Sequence, residues 1–211
     1  MADDADLRDS YDRVANQYAD AFYHELDHKP FDRELLDRFA ALIGPGASVL
    51  DIGCGPGHIG RYLADRGLAA SGLDLSPGMV ARARQLNPGM NVTQGSMLAL
   101  PFPDGSFAAI VAFYSIIHLS RADAPRALAE FFRVLQPGGH LLLAFHGGQG
   151  EVHRDEWFGE PVRVHATVFE SEEMAGWLRA AGFSVLESLE RPPYEEEYQS
   201  RRIYLLARRP A

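Results

Sequence analysis

The chain has 211 residues, of which 46% are hydrophobic, so it is long enough for one substantial core and short for two. Its formal net charge of −9 argues against a nucleic-acid substrate, because binding a phosphate backbone requires a basic face. The single cysteine excludes an internal disulfide, and no apolar run approaches the length needed to span a membrane. The start is acidic and polar, unlike a signal peptide. We therefore expect a cytoplasmic protein with one domain over residues 1–211.

A strand, a glycine-rich loop and a helix follow one another early in the chain. Residues 47–52 are apolar and partly β-branched, as in a buried parallel strand, and a helical pattern begins after Gly57. Gly53 and Gly55 allow the backbone to turn sharply and to approach a ligand closely. The first amides of the helix carry partial positive charge. Such a loop suits a carboxylate or a phosphate.

A second strand is predicted at residues 69–73, and it is followed by Asp74. A carboxylate at the C-terminal end of such a strand can accept two hydrogen bonds from a ribose diol. Ser76 and Pro77 are typical of a helix N-cap and a first helical turn. The glycine loop and Asp74 together predict a site for a nucleoside.

Two other classes of glycine-loop protein fit this sequence less well. A dinucleotide-binding loop would read G-x-G-x-x-G, but His58 occupies the third glycine position counted from Gly53, and Pro56 stiffens the turn. A phosphate-binding P-loop would require Gly-Lys-Ser or Gly-Lys-Thr, and the sequence contains neither. A nicotinamide-dependent oxidoreductase is thus disfavoured but stays open as an alternative.

Residues 49–57, which read VLDIGCGPG, resemble the first motif of the class I S-adenosylmethionine-dependent methyltransferases. Asp74 is placed like the acidic residue of that family's second motif. Residues 95–107 are similar to the adenine-side loop, and residues 135–140 to the family's turn between a helix and the fifth strand. The resemblance extends from about residue 11 to residue 207 and is to the small-molecule branch of the family.

This resemblance implies an α/β fold, with a Rossmann-like, doubly wound, seven-stranded and mostly parallel sheet that ends in a C-terminal antiparallel hairpin. An N-terminal helical cap is expected over residues 7–30, and a substrate-covering insert over residues 147–169. Ligands of open α/β sheets bind beyond the C-terminal ends of the strands, so both segments are expected to close over a substrate.

The implied cofactor is S-adenosyl-L-methionine, and the implied product is S-adenosyl-L-homocysteine. Asp74 is expected to hold the ribose, and Asp51 to tie the glycine loop or the cofactor's amino group. The residues expected at the cofactor come from the cap, the glycine loop and the ends of the strands: Tyr11, Tyr18, Lys29, Asp51, Gly53, Cys54, Gly55, Asp74, Leu75, Met79, Ser96, Met97, Leu98 and Tyr114.

Several of these residues have a second interpretation that the sequence leaves open. Lys29, the only lysine, either steers a carboxylate or is a surface cation. Tyr11 and Tyr18 either lie over the sulphonium, which an aromatic face favours, or pack the first helix onto the sheet. Cys54 is either a thiol with altered reactivity or a small buried residue.

A base is needed if the acceptor is a hydroxyl, an indole or a protonated amine. His118 is the first candidate because it follows the fourth strand, near the expected position of the methyl group, and His146 and Glu25 come next. Each of them could equally have a structural role. Candidate substrate-binding residues are Tyr23, Trp157, His165 and Tyr198. The histidines are scattered, without a metal-binding pattern, so no metal is expected.

The sequence therefore predicts an S-adenosylmethionine-dependent methyltransferase that acts on a small organic acceptor by in-line displacement, with secondary metabolism as one setting. Neither nucleic acid nor a membrane is an expected partner, and the protein would be a monomer or a homodimer. A non-catalytic module that binds the cofactor or a partner on the same fold is the alternative, because a fold does not determine a function.

Overall fold

Six α-helices and nine β-strands alternate along residues 4–211, the part of the chain that the computed structural model describes. The helices are α1 Asp4–Phe22, α2 Pro30–Ile43, α3 His58–Ala64, α4 Pro77–Leu86, α5 Ala124–Val134 and α6 Ser171–Ala180. The strands are β1 Ser48–Ile52, β2 Ala69–Asp74, β3 Asn91–Gln94, β4 Phe107–Phe113, β5 Leu135–Gly147, β6 Glu151–Trp157, β7 Glu160–Thr167, β8 Ser184–Arg191 and β9 Arg201–Arg208. Short 3₁₀ turns occupy Glu25–His28 and Ile116–His118.

Seven of the strands form one sheet in the order β3-β2-β1-β4-β5-β9-β8. The first five of these are parallel, whereas β9 runs antiparallel to both β5 and β8. The structure confirms the predicted fold class, a doubly wound, mostly parallel sheet with a C-terminal antiparallel pair. The C-terminal ends of β1, β2 and β4 therefore meet at one edge of the sheet.

The central strands are buried on both faces, as expected where helices cover both sides of a parallel sheet. Ile110 and Val111 of β4 are both fully buried and belong to different clusters. Ile110 packs with residues of α5 and α6, such as Phe131, while Val111 packs with residues of α2 and α3, such as Leu36. Because successive side chains of a strand point to opposite faces, one apolar run supplies both halves of the core.

The predicted covering insert forms the hairpin of β6 and β7, which packs on α1. Val14 of α1 is fully buried against Val162 and Val164 of β7. The backbone amide of Arg163 also donates a hydrogen bond to Oγ of Ser10 at 2.9 Å. The hairpin and the first helix are thus joined above the edge of the sheet where β1 and β4 end. None of the helices within residues 4–211 is long and apolar enough to cross a membrane.

Candidate cofactor and acceptor site

A cavity of about 1100 Å³ lies between the C-terminal ends of the parallel strands and the covering segments. One wall consists of the glycine loop and the residues that follow β2 and β3. The opposite wall comes from α1, the β6–β7 hairpin and the loop between β8 and β9. The position agrees with the rule that open α/β sheets bind ligands beyond the C-terminal ends of their strands.

The glycine loop curls tightly over the end of β2. Gly53 and Gly55 have φ angles of 68° and 52°, in the left-handed region that glycine adopts readily. The amides of Gly53 and Cys54 both donate hydrogen bonds to the carbonyl of Leu73, at 2.7 and 3.0 Å. A Cβ on Gly53 would lie only 2.3 Å from Cβ of Ser115. Glycine at position 53 is therefore required both by its conformation and by the closeness of its neighbour.

Asp74 connects the glycine loop to the start of α4. Its Oδ2 accepts a hydrogen bond from the amide of Gly55 at 2.8 Å, and its Oδ1 accepts one from the amide of Ser76 at 2.9 Å. Burial raises the pKa of Asp74 to about 6 despite these bonds. Ser76 is the N-cap of α4, as predicted, because its Oγ accepts a hydrogen bond from the amide of Met79. The carboxylate lines the cavity with both oxygens held in place.

Asp51, at the C-terminal end of β1, also lines the cavity. Its Oδ2 accepts a hydrogen bond from the amide of Gly60 in α3 at 2.9 Å, and burial raises its pKa to about 7. Cys54 is buried with its Sγ close to Gly72, where an added Cβ would meet the sulphur at 2.8 Å. Burial raises the pKa of the Cys54 thiol, so the thiolate that reactive cysteines need is disfavoured.

Glu25 is shared by two cationic or ionisable side chains. Its Oε1 accepts a hydrogen bond from Nε2 of His58 at 2.9 Å, and its Oε2 accepts one from Nζ of Lys29 at 2.7 Å. Burial opposes ionisation of Glu25, but the bonds and charges of His58 and Lys29 prevail and lower its pKa to about 2. Because both oxygens of Glu25 already accept hydrogen bonds from His58 and Lys29, Glu25 is poorly placed to take a proton from an acceptor. Lys29 also lies 3.5 Å from a carboxylate oxygen of Glu197.

The two nitrogens of His118 both have hydrogen-bond partners. Its Nδ1 lies 2.9 Å from the carbonyl oxygen of His165, which can only accept, so Nδ1 carries the proton. Its Nε2 lies 2.8 Å from the hydroxyl of Tyr11 and must then accept a hydrogen bond that this hydroxyl donates. Burial lowers the pKa of His118 to about 4. The imidazole is therefore neutral at pH 7, with its lone pair directed to Tyr11.

His146 has the opposite tautomer. A guanidinium nitrogen of Arg202 lies 2.6 Å from its Nδ1, and since arginine can only donate, Nδ1 is the acceptor. Ser200 Oγ lies 2.8 Å from the same nitrogen. Burial, followed by the charge of Arg202, lowers the pKa of His146 to about 3. In this arrangement His146 lacks the unoccupied lone pair that a base requires, and the remaining ring nitrogen is a donor.

Tyr114 follows β4 in a left-handed conformation, with φ at 52°. Such a conformation is uncommon for a bulky residue, and strained residues of this kind cluster at functional sites. Nζ of Lys29 and the guanidinium of Arg202 each lie 5.5 Å from the centre of its ring, and its hydroxyl lies 3.0 Å from that of Tyr204. Tyr114 thus lines the cavity next to two cations and is held by a hydrogen bond to Tyr204.

Most of the sequence-predicted residues line the cavity, and three do not. Leu98 packs against the main core instead. The hydroxyl of Tyr23 donates a hydrogen bond to Asn87 Oδ1 at 2.7 Å, outside the cavity. His165 reaches the site only through its carbonyl oxygen. The residues that do line it are Tyr11, Tyr18, Glu25, Lys29, Asp51, Gly53, Cys54, Gly55, Asp74, Leu75, Met79, Ser96, Met97, Tyr114, His118, His146, Trp157 and Tyr198.

Aromatic rings from α1 and the hairpin meet over the cavity. The ring of Trp157 lies 5.2 Å from that of Tyr18 and 5.8 Å from that of Tyr11. The ring of Tyr18 also lies over the glycine loop, since a Cβ on Gly55 would meet its Cε1 at 3.7 Å. The two tyrosines therefore pack α1 against the hairpin and also line the cavity.

His58 and Glu197 are among the site residues that sequence reasoning missed. His58 was noted only because it breaks the dinucleotide pattern, although it lines the cavity. Glu197 belongs to a run of three glutamates that looks like a solvated surface. Its side chain is only 7% exposed, with a carboxylate oxygen 2.7 Å from Arg191 and 3.5 Å from Arg202. No local pattern indicates these ion pairs, because they depend on how the loop after β8 folds back onto Arg191, Arg202 and Lys29. Within residues 4–211, no group of three or more histidine, cysteine or acidic residues is arranged to hold a metal ion.

Comparison with known proteins agrees with this geometry. A family model described as a methyltransferase domain matches residues 49–139. The chain is 35% identical to a demethylmenaquinone methyltransferase of Beutenbergia cavernae over 145 residues, which are 67% of this chain and 58% of that protein. It is 32% identical to an uncharacterized methyltransferase of Synechocystis sp. over 154 residues, which are 68% of this chain and 70% of that protein.

A solved S-adenosylmethionine-dependent methyltransferase of Methanosarcina mazei has the same fold, with a TM-score of 0.70 and 21% sequence identity, over 79% of this chain and 94% of that one. The matches to curated relatives span 38% to 70% of the relatives' own lengths. The chain belongs to the class I S-adenosylmethionine-dependent methyltransferases, and the cofactor of this family is S-adenosylmethionine.

Proposed function

We propose that the chain transfers the methyl group of S-adenosylmethionine to a small organic acceptor. One observation carries the proposal: a single cavity brings the glycine loop and Asp74 opposite a wall of aromatic and hydrogen-bonding side chains. The first wall suits a nucleoside with a charged tail, and the second suits an acceptor beside it. The Beutenbergia relative is named for a demethylmenaquinone, which is a small molecule.

The residues of the first wall fit this cofactor. A cavity of about 1100 Å³ exceeds the roughly 300 to 1,000 Å³ of a typical ligand site, so a nucleoside cofactor leaves room for a second molecule. Asp74 would accept hydrogen bonds from the ribose, and Leu75, Met79 and Met97 would flank the adenine. Asp51 and the glycine loop would face the amino-acid end.

The cofactor supplies a methyl group that is already reactive because it is bonded to a sulphonium. The protein must then align an acceptor opposite the sulphur, and such alignment accounts for about 7 kcal/mol or more in favourable cases. Tyr18 and Trp157, which lie over the glycine loop and beside each other, would restrict the acceptor to one direction of approach. This would be an in-line displacement.

His118 would act as the general base, with Tyr11 as the group that reaches the acceptor. The acceptor would give its proton to the Tyr11 hydroxyl oxygen while the Tyr11 proton passes to Nε2 of His118 along the hydrogen bond, in which the two heavy atoms are 2.8 Å apart. The bond from Nδ1 to the carbonyl of His165 would stabilise the imidazolium that forms. His146, which has a donor nitrogen left over, would orient the acceptor together with Trp157 and Tyr198.

The test is to incubate the purified chain with methyl-labelled S-adenosylmethionine and a panel of small acceptors that includes quinols, phenols, amines and carboxylic acids. We expect label in one acceptor class and an equal amount of S-adenosylhomocysteine. An Asp74→Ala variant is the control, because it should reduce both products together. Tight cofactor binding without transfer to any acceptor class would contradict the proposal and favour a cofactor-binding module.

A further inference from the structure

His146, at the end of β5, presents an unpaired hydrogen-bond donor to the cavity. Its Nδ1 accepts a hydrogen bond from the guanidinium of Arg202 at 2.6 Å, so its Nε2 carries the proton. That Nε2 has no hydrogen-bond partner in residues 4–211. The unpaired side-chain atoms that are fully enclosed in this part of the chain belong to His58 and Arg82, so Nε2 of His146 keeps accessible surface. Because the side chain lines the cavity, a ligand there can reach this N–H.

The charges around His146 are already paired. Arg202 lies 3.5 Å from a carboxylate oxygen of Glu197, and Lys29 lies 2.7 Å from one of Glu25. Burial, followed by the charge of Arg202, lowers the pKa of His146 to about 3, so the imidazole is neutral at pH 7. A carboxylate placed here would lose its water without gaining an unpaired cation. A neutral N–H in this setting therefore suits an uncharged acceptor, such as a carbonyl oxygen.

The space beside His146 is apolar and is flanked by aromatic rings. The amide of Phe169 donates a hydrogen bond to the carbonyl of His146 at 3.1 Å, which places the end of β5 beside Val168. The rings of Tyr114 and Tyr198 lie 5.2 and 5.7 Å from the imidazole. Such walls suit a flat, apolar ring. The apolar lining on the hairpin side comes from alternate residues, which share one face of an extended chain: Val164, Ala166 and Val168.

We propose that the methyl acceptor is a hydroxylated aromatic compound that also carries an uncharged carbonyl oxygen, and that Nε2–H of His146 donates a hydrogen bond to this carbonyl. This rests on the proposed function, because it assumes that Tyr11 and His118 take the proton of the hydroxyl group. The hydroxyl oxygen then forms a bond to the methyl carbon. The bond from that carbon to sulphur breaks with its electron pair left on sulphur, which gives S-adenosylhomocysteine and leaves the carbonyl unchanged.

Three phenols that differ in one substituent test this inference. The probe para-hydroxyacetophenone has the carbonyl oxygen, para-isopropylphenol has a methyl group in its place, and para-hydroxybenzoate has a carboxylate. Initial rates with methyl-labelled S-adenosylmethionine give kcat/KM for each phenol with the wild type and with each variant. Because each phenol is compared only with itself, differences in phenol acidity do not enter the comparison.

In His146→Leu we expect kcat/KM for para-hydroxyacetophenone to fall about 3-fold to 10-fold, the range for one lost hydrogen bond. The value for para-isopropylphenol should stay within about twofold. His146→Gln keeps an N–H donor, so it should retain more activity on para-hydroxyacetophenone than His146→Leu does. His140→Ala, at the other end of β5 where that strand pairs with β9, is the matched control and should change none of the rates. Thermal unfolding of each variant checks that it is folded.

Equal losses on all three phenols in His146→Leu, or no loss on any, would overturn the assignment of His146. A wild type that neither binds nor methylates para-hydroxyacetophenone would overturn the proposed acceptor class. A preference for para-hydroxybenzoate that Arg154→Ala abolishes would overturn it too, in favour of an acid held by Arg154, which also lines the cavity. In each of these outcomes, methylation of another acceptor keeps the proposed function. Bound S-adenosylmethionine with transfer to no acceptor at all would overturn both.

Discussion

The two walls of the cavity are built in different ways. The glycine-loop wall comes from short stretches that follow β1 and β2, and its contacts are mostly backbone hydrogen bonds, such as those from the amides of Gly55 and Ser76 to Asp74. The covering wall comes from three segments that are far apart in the chain. Tyr11 meets His118 across 107 residues of sequence, and Lys29, just before α2, lies 3.5 Å from Glu197 in the loop between β8 and β9.

This difference teaches where sequence patterns carry information. A turn with a left-handed backbone requires glycine at one position of the sequence, so the glycine-loop wall can be identified from a few adjacent residues. A hydrogen bond between α1 and the turn after β4 requires no particular residue pattern in either segment, because it depends on how the two segments pack. The predictions below separate the two walls by changing one residue of each.

The largest effect is expected from Gly53→Ala in the first wall. The added Cβ would lie 2.3 Å from Cβ of Ser115, and the backbone has φ at 68°. We expect the free energy of unfolding to fall by roughly 2 to 5 kcal/mol, the sum of backbone strain and overpacking, and cofactor binding to be lost. Urea unfolding and calorimetry measure both quantities.

Gly46→Ala is the matched control for this change. Its φ is 77°, but no atom lies within 4 Å of an added Cβ, so only the strain remains, about 1 to 2 kcal/mol. Equal losses of stability in the two variants would show that the close approach of Ser115 does not matter.

The covering wall is tested by Tyr11→Phe and His118→Gln. We expect either change to lower turnover about 100-fold, typical of a lost general base, while the affinity for S-adenosylmethionine changes little. Because the two residues would act through one hydrogen bond of 2.8 Å, the double variant should be no slower than the single ones. Losses that multiply, or turnover that does not change, would contradict the relay.

A smaller effect is expected from Asp74→Ala, which changes the glycine-loop wall. We expect cofactor binding to weaken by about 1 to 3 kcal/mol, because hydrogen bonds to a charged group are lost. Asp20→Ala, at a carboxylate that is 76% exposed on α1, is the control and should leave the affinity unchanged. Calorimetry that finds the same affinity for Asp74→Ala and the wild type would refute the assignment of Asp74 to the ribose.

The smallest effect expected is a dependence of stability on pH. Burial lowers the pKa of His118 from 6.5 to about 4, so the folded state disfavours its proton. The contribution of the neutral His118 to the free energy of unfolding is therefore fully present above pH 6.5 and is lost as the pH falls through 4. The advantage of the wild type over His118→Gln should therefore shrink on acidification within this window, by at most about 1.4 kcal/mol per pH unit.

Urea unfolding of both proteins at several pH values measures that difference. The wild type must be compared with His118→Gln because other groups also make the stability depend on pH. Burial raises the pKa values of Asp51 and Asp74 to about 7 and 6, which favours the folded state at low pH. An advantage of the wild type that grows on acidification would contradict the neutral, buried state of His118.

Much of the fold followed from the sequence, since apolar runs such as β4 and helix signals such as Ser76 report on the backbone nearby. The resemblance implied a third strand, but the residues did not locate it, because β3 is a short edge strand in which Val92 alone is buried. Tyr23 and Leu98 were placed at the site by their position in the chain. Their side chains turn away, Tyr23 to Asn87 and Leu98 to the core.

The candidate site shows the same limit. Asp74 and the glycine loop could be predicted because short runs of adjacent residues determine the geometry of each. The tautomers of His118 and His146 could not, because each is set by a partner on another segment, the carbonyl of His165 and the guanidinium of Arg202. The sequence therefore identified the histidines but not the nitrogen that carries each proton.

Titration calorimetry of the purified wild-type chain with S-adenosylmethionine, S-adenosylhomocysteine and NAD tests the central claim most directly. The geometry of the glycine-loop wall predicts that both adenosyl ligands bind, because each would contact Asp74 with its ribose and the glycine loop with its amino-acid end. It also predicts that NAD gives no heat of binding. Silence from both adenosyl ligands with a folded protein, or binding of NAD alone, would contradict the account.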